Sequence, residues 1–146
     1  MIGLLQRVTR ASVSIAGTTT ASIGPGLLVL VGVRPDDGPA QAQRLLERLL
    51  GYRVFPDASG RMNLALRDTG GALLLVPQFT LAADTGKGTR AGFSTAAAPA
   101  QARQLFEYLV AEAQRAWTPV ASGSFGADMQ VALVNDGPVT FWIEAR

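Results

Sequence analysis

Gln78, Phe79 and Thr80 end an apolar run, just after Pro77. A second segment of small polar and backbone-special residues, Asn135-Asp136-Gly137-Pro138-Val139-Thr140, lies near the end of the chain. Together they suggest a site built from main chain and hydroxyls rather than from strongly titrating side chains. The chain has no histidine and no cysteine. This removes the usual general base, the usual transition-metal ligands and the thiol nucleophile. Chemistry must rest on hydroxyls, carboxylates, basic side chains, main-chain amides or groups that a substrate brings.

Pro77 has no amide hydrogen, so its strand end reads as an edge or a bulge. The amides that follow could then face a ligand, and amide donors aimed at a developing oxyanion are a large term in acyl transfer. The competing reading is ordinary strand-end packing with Phe79 in the core. Asn135-Asp136-Gly137-Pro138, taken alone, is a hairpin turn. A Gly-Pro bond adopts cis at modest cost, and two carbonyls pointing the same way would form a rigid acceptor surface. Thr85-Gly86-Lys87-Gly88-Thr89 fails the phosphate-loop pattern, because Leu81 and Gly88 stand where glycine and Ser/Thr belong. It reads as a surface loop whose Lys87, with Arg90, could meet phosphate. Asp36-Asp37 suits a helix start, and the other acids are scattered. No metal site and no cofactor are expected.

The elements that must position these residues follow from periodicity. Leu4–Ile15 and Thr18–Ile23 read as strands joined by Ala16-Gly17. Leu27–Val33 reads as a buried central strand after Gly24-Pro25-Gly26. Ala42, Leu45, Leu46, Leu49 and Leu50 recur at helical spacing, and Gly51 ends that helix. Ala72–Gln78 is a strand, and 82–95 a polar loop. Ala102, Leu105, Phe106, Leu109, Val110 and Ala113 form the stripe of a second helix opened by Pro99. Strands at Val120–Ser122, Met129–Val134 and Pro138–Glu144 close the chain, with turns at Gly123–Gly126 and Asn135–Gly137. The expectation is one compact α/β domain over residues 1–146. Its mixed β-sheets pack around two helices in a three-layer β/α/β arrangement.

The 146 residues, 48% of them hydrophobic, allow a real core, and the net charge of +2 permits RNA binding without demanding it. No run is long and apolar enough for a bilayer, and the N-terminus lacks signal-peptide features, so a cytoplasmic protein is expected.

Several segments, in order, carry a resemblance. They are Leu5–Val13, Ile23–Leu30, Met62–Leu64, Gln78–Leu81, Phe125–Met129 and Asn135–Thr140. Through them the chain resembles the D-aminoacyl-tRNA deacylases (the D-tyrosyl-tRNA deacylase family) along essentially its whole length. The resemblance implies a cytoplasmic homodimer with aminoacylated tRNA as its partner and neither DNA nor a membrane. It implies proofreading by hydrolysis of the ester in D-aminoacyl-tRNA, and of glycyl-tRNA mischarged on tRNA-Ala. Gln78, Phe79 and Thr80 would be catalytic, and Arg7, Pro77, Met129, Gly137 and Pro138 would bind substrate. Gly137-Pro138 would be a Gly-cisPro element that enters the partner's pocket and rejects L-aminoacyl groups. Thr80 would be the nucleophile, or the tRNA 2′-hydroxyl would assist; the missing histidine favours the second.

Two positions depart from the family pattern. Pro77 stands where serine is usual, as in a related group that acts on misacylated L-Ala-tRNA with relaxed chirality. Ala91 follows Arg90 where proline is usual. The retained Phe79 and Asn135–Thr140 favour the D-specific group. The alternatives are the relaxed deacylase and a tRNA-binding module without catalysis.

Overall fold

The computed structural model describes residues 1–146. Its framework is a long strand β1 (Ile2–Ile15) that β-branched residues keep extended. Along one edge of β1 run β2 (Thr18–Ile23) and β3 (Gly26–Gly32), antiparallel to it and nearly end to end. Along the other edge runs β8 (Gln130–Glu144). β3 pairs in parallel with β6 (Ala72–Pro77), and β6 in parallel with β7 (Val120–Ser122). A separate hairpin joins β4 (Phe55–Pro56) to β5 (Met62–Leu64).

The parallel strands need crossovers, and helices supply them. α1 (Pro39–Gly51) begins with Pro39, whose missing amide costs nothing in a first turn, and the Gly38 amide donates to Gln41 Oε1 at 3.0 Å. α2 (Leu66–Thr69) is a single turn ended by Gly70, at φ +69°. α3 (Pro99–Ala116) returns the chain to β7. No helix is long and apolar enough to cross a membrane.

Strand alternation divides the core in two. Leu5, Leu27, Val29, Val31, Leu73, Leu75 and Ile143 face α1 and α3, meeting Leu45, Leu49, Phe106 and Leu109. The opposite face, with Leu28, Leu74 and Val76, meets Val13 and Ile23 from the far ends of β1 and β2, with Val131 and Leu133 of β8 against them. The sheet thus curls over its own back into a nearly closed, barrel-like form with helices packed against it. The expected mixed α/β fold with two long helices is present. The second β layer is the curled half of the same sheet, with the helices packed against it. Gly26 permits the close passage of β3 over β6, since a Cβ there would stand 1.9 Å from the Ala72 carbonyl oxygen.

Candidate active site

β6 carries the first cluster of site residues to its C-terminal end. Gln78 donates its amide to the Val31 carbonyl at 2.7 Å, so the neighbouring position, Pro77, turns its nitrogen toward β7. β7 pairs only as far as Ser122 opposite Leu75. The edge expected at Pro77 therefore exists on one side, and on the other Val31 pairs with it. Beyond β6 the chain folds into a 3-10 turn, Phe79–Ala82. The first amides of a helical turn have no partner within it. Those of Phe79 and Thr80 are thus left at the strand end, as amide-based catalysis requires.

Beside this end lies a cavity of about 450 Å³. Pro77, Gln78, Phe79 and Met129 line it, with Phe125 and Ala102. Its walls are mostly apolar, and the polar side chains on them are Gln78 and Asp128. α3 opens on the cavity at Pro99, which brings the positive end of the helix dipole to it. Behind this wall Gly123 lets two lining residues pack closely, since a Cβ there would meet Met129 Sδ at 2.9 Å and Pro77 Cδ at 3.3 Å.

Thr80 does not line this cavity. It borders an adjacent cleft with Arg34, Asp36 and Trp142. Its hydroxyl accepts a hydrogen bond from Gln78 Nε2 at 2.5 Å. An amide cannot take the hydroxyl's proton, so Gln78 is no general base for Thr80.

Arg7, Gly137 and Pro138 form a second cluster. The expected turn at Asn135–Gly137 is instead a bulge within one continuous strand, because β1 is long enough to pair both halves of β8. Gln6 pairs with Thr140 and Val8 with Asn135, so Arg7 alone opposes 136–139. The Gly137–Pro138 peptide is cis, and Gly137 has φ +136°. Arg7 braces the bulge from behind: Nε donates to the Asp136 carbonyl at 3.0 Å, and Nη1 to the Val54 carbonyl at 2.6 Å. Asn135 spans it, accepting from the Val139 amide at 2.8 Å and donating to Thr140 Oγ1 at 2.8 Å. Asp136, Gly137 and Pro138 remain exposed.

The sequence reading thus named residues that fall into two clusters, with Thr80 beside the first. It did not single out Asn135 as the brace of the bulge, although Asn135 stood within the matching segment. Gly123 carried no signal, because its role is space. No three His, Cys, Asp or Glu side chains converge in a metal-holding arrangement.

A family model described as D-Tyr-tRNA(Tyr) deacylase matches residues 4–144. A D-aminoacyl-tRNA deacylase of Thioalkalivibrio sulfidiphilus is 64% identical over 99% of this chain and 97% of its own. One from Nitrosococcus oceani is 62% identical over 99% and 93%. A solved structure described as c-Myc DNA Unwinding Element Binding Protein superposes with a TM-score of 0.95 at 35% identity, covering 100% of this chain and 99% of that one. A probable eukaryotic D-amino acid tRNA deacylase, at 17% identity and TM-score 0.85 over 98% of each chain, shares the fold. The chain belongs to the D-Tyr-tRNA(Tyr) deacylase family, hydrolases that act on the ester bond of D-aminoacyl-tRNA.

Proposed function

We propose that the cavity at the end of β6 holds the aminoacyl group of D-aminoacyl-tRNA, and that the Gly137-Pro138 bulge of a second subunit closes it against L-aminoacyl groups. The observation that carries this reading is the separation of two complementary parts. One is an open apolar cavity; the other is a braced, exposed protrusion with nothing to insert into. Along β8, at about 3.3 Å per residue, Gly137 lies roughly 20 Å from Val131 on the cavity wall. A two-fold partner brings each bulge to the other's cavity. Main-chain groups on the bulge would leave no room for an L side chain. Glycine, having none, passes the same filter, so glycyl-tRNA mischarged on tRNA-Ala is a second substrate.

In this reading the amides of Phe79 and Thr80 receive the ester oxygen as it becomes an oxyanion, beside the positive end of α3. Water adds to the ester carbonyl, and the bond to the ribose 3′-oxygen breaks. The neighbouring 2′-hydroxyl relays the proton to that oxygen, which leaves the free amino acid and intact tRNA. Gln78 holds the Thr80 hydroxyl and thereby fixes the turn. The whole chain acts as one domain in the cytoplasm, and aminoacylated tRNA rather than DNA is its nucleic-acid partner.

Two observations favour other readings. Pro77 suits a deacylase for misacylated L-Ala-tRNA. The description of the 35%-identical structure as a c-Myc DNA Unwinding Element Binding Protein suits a nucleic-acid binder. One experiment separates them: hydrolysis of D-Tyr-tRNA, L-Tyr-tRNA and L-Ala-tRNA at sub-stoichiometric protein. Multiple turnovers on D-Tyr-tRNA alone are expected. Turnover of L-Ala-tRNA would favour the relaxed enzyme, and saturable binding with no turnover would favour the module.

A further inference from the structure

The loop after the 3-10 turn is built rather than loose. Asp84 and Gly92 exchange both backbone hydrogen bonds, at 2.8 and 2.9 Å, closing a ring around residues 85–91. Asp84 Oδ1 accepts the Gly86 amide at 2.9 Å, and Thr95 Oγ1 donates to the Ala82 carbonyl at 2.6 Å. This frame delivers Phe93 onto Phe79, with ring centroids 5.0 Å apart and planes tilted by 46°. The pair is not core: Phe79 is 55% and Phe93 46% exposed. Two large aromatic rings held together at a cavity mouth, both open to solvent, form a surface that needs an apolar, planar occupant. Lys87 and Arg90 stand exposed on the same loop and pair with no carboxylate.

We infer that Phe79 and Phe93 form a stacking platform for a base of the unpaired tRNA 3′ end, next to the esterified nucleotide, with Lys87 and Arg90 on its phosphates. The inference rests on the proposed placing of the aminoacyl group in the cavity. Phe79 lines that cavity and Phe93 does not, so the platform runs outward from the ester. A chain whose 3′ end is anchored there must pass over it. Aromatic stacking accepts any base, which suits an enzyme that meets many tRNAs, and basic side chains meet the backbone without reading sequence. Phe93 thus meets the nucleotide upstream of the ester, and neither the aminoacyl group nor its own nucleoside.

The test compares D-Tyr-tRNA with D-Tyr-adenosine, which has the ester and terminal nucleoside but no upstream nucleotides. Phe93→Ala should raise KM for D-Tyr-tRNA about tenfold, with kcat little changed, and leave D-Tyr-adenosine unaffected. Phe93→Trp should restore the tRNA KM. Lys87→Ala/Arg90→Ala should make the slope of log(kcat/KM) against log salt shallower, by about 0.7 per lost phosphate contact. Equal loss on both substrates would overturn the platform and leave Phe93 only a support for Phe79. So would an unchanged tRNA KM in a folded Phe93→Ala protein. Failure of wild-type protein to hydrolyse either substrate would instead overturn the placing of the ester.

Discussion

Thr80 and Gly137 show how single residues divide the labour in this protein. Thr80 bears the obvious nucleophilic group of the region, yet its hydroxyl is tied to Gln78 Nε2 and the residue borders the neighbouring cleft rather than the cavity. Thr80→Ala should keep kcat within about tenfold of wild type, whereas loss of a true nucleophile costs on the order of 10⁴–10⁶-fold. D-Tyr-tRNA ending in 2′-deoxyadenosine should show the large loss instead. Single-turnover rates on both substrates decide between the two. Gly137 has the opposite character, with no functional group and a position nothing else fits. At φ +136° an added Cβ would meet Val139 Cγ2 at 2.7 Å, the Val139 nitrogen at 3.0 Å and Arg7 Nη2 at 3.2 Å. Gly137→Ala should displace the bulge, with backbone strain of about 1–3 kcal/mol. The preference for D-Tyr-tRNA over L-Tyr-tRNA should fall about 10–100-fold, mainly through a gain on the L substrate. Deacylation of the two by folded, dimeric variant protein measures it.

At the scale of elements, β8 joins the bulge to an acid-sensitive anchor. Arg34, just past β3, donates to both oxygens of Glu144 on β8, at 2.9 and 3.3 Å. That bidentate pair, then the Trp142 indole and Arg146, hold the Glu144 carboxyl down at about 2. A carboxylate more acidic folded than unfolded stabilises the fold fully above its unfolded value, near 4.5, and loses that contribution as pH falls toward 2. Wild-type stability should therefore drop more steeply than that of Glu144→Gln between about pH 4.5 and pH 2, as denaturant titrations at each pH would show. Matching slopes would mean the pair contributes nothing, as is common for exposed ion pairs.

The elements also show what a sequence can and cannot disclose. α1 and α3 were legible from one apolar stripe each, β3 and β6 from continuous apolar runs, and β1 and β2 from β-branched runs around Ala16-Gly17, all local properties. The 3-10 turn at Phe79–Ala82 and the one-turn α2 are too short to have a period. Asn135–Gly137 has every local mark of a hairpin, but a partner strand more than a hundred residues away keeps the chain extended. Gln78, Phe79 and Pro77 were visible as a strand end, while Gly123 and the Phe79–Phe93 contact exist only in three dimensions.

For the whole molecule, the proposed shared site calls for two subunits. β8 bonds to β1 along one edge, and its 15 residues leave the other edge unpaired. Along it Val134 and Trp142 are 40% and 50% exposed. Such an edge is ordinarily covered. Sedimentation at micromolar concentration should give a dimer, and a fully active monomer would remove the basis for a shared site. A mixed dimer tests whether each cavity is guarded by the other subunit's bulge, as proposed. One subunit carries Ala127→Trp, which puts a bulky ring on its cavity wall, and an intact bulge. The other carries Gly137→Ala and an intact cavity. With two affinity tags the heterodimer can be isolated, and its D-Tyr-tRNA to L-Tyr-tRNA rate ratio measured. The account predicts wild-type discrimination, because the working cavity faces an intact bulge. The relaxed ratio of the Gly137→Ala homodimer would contradict it.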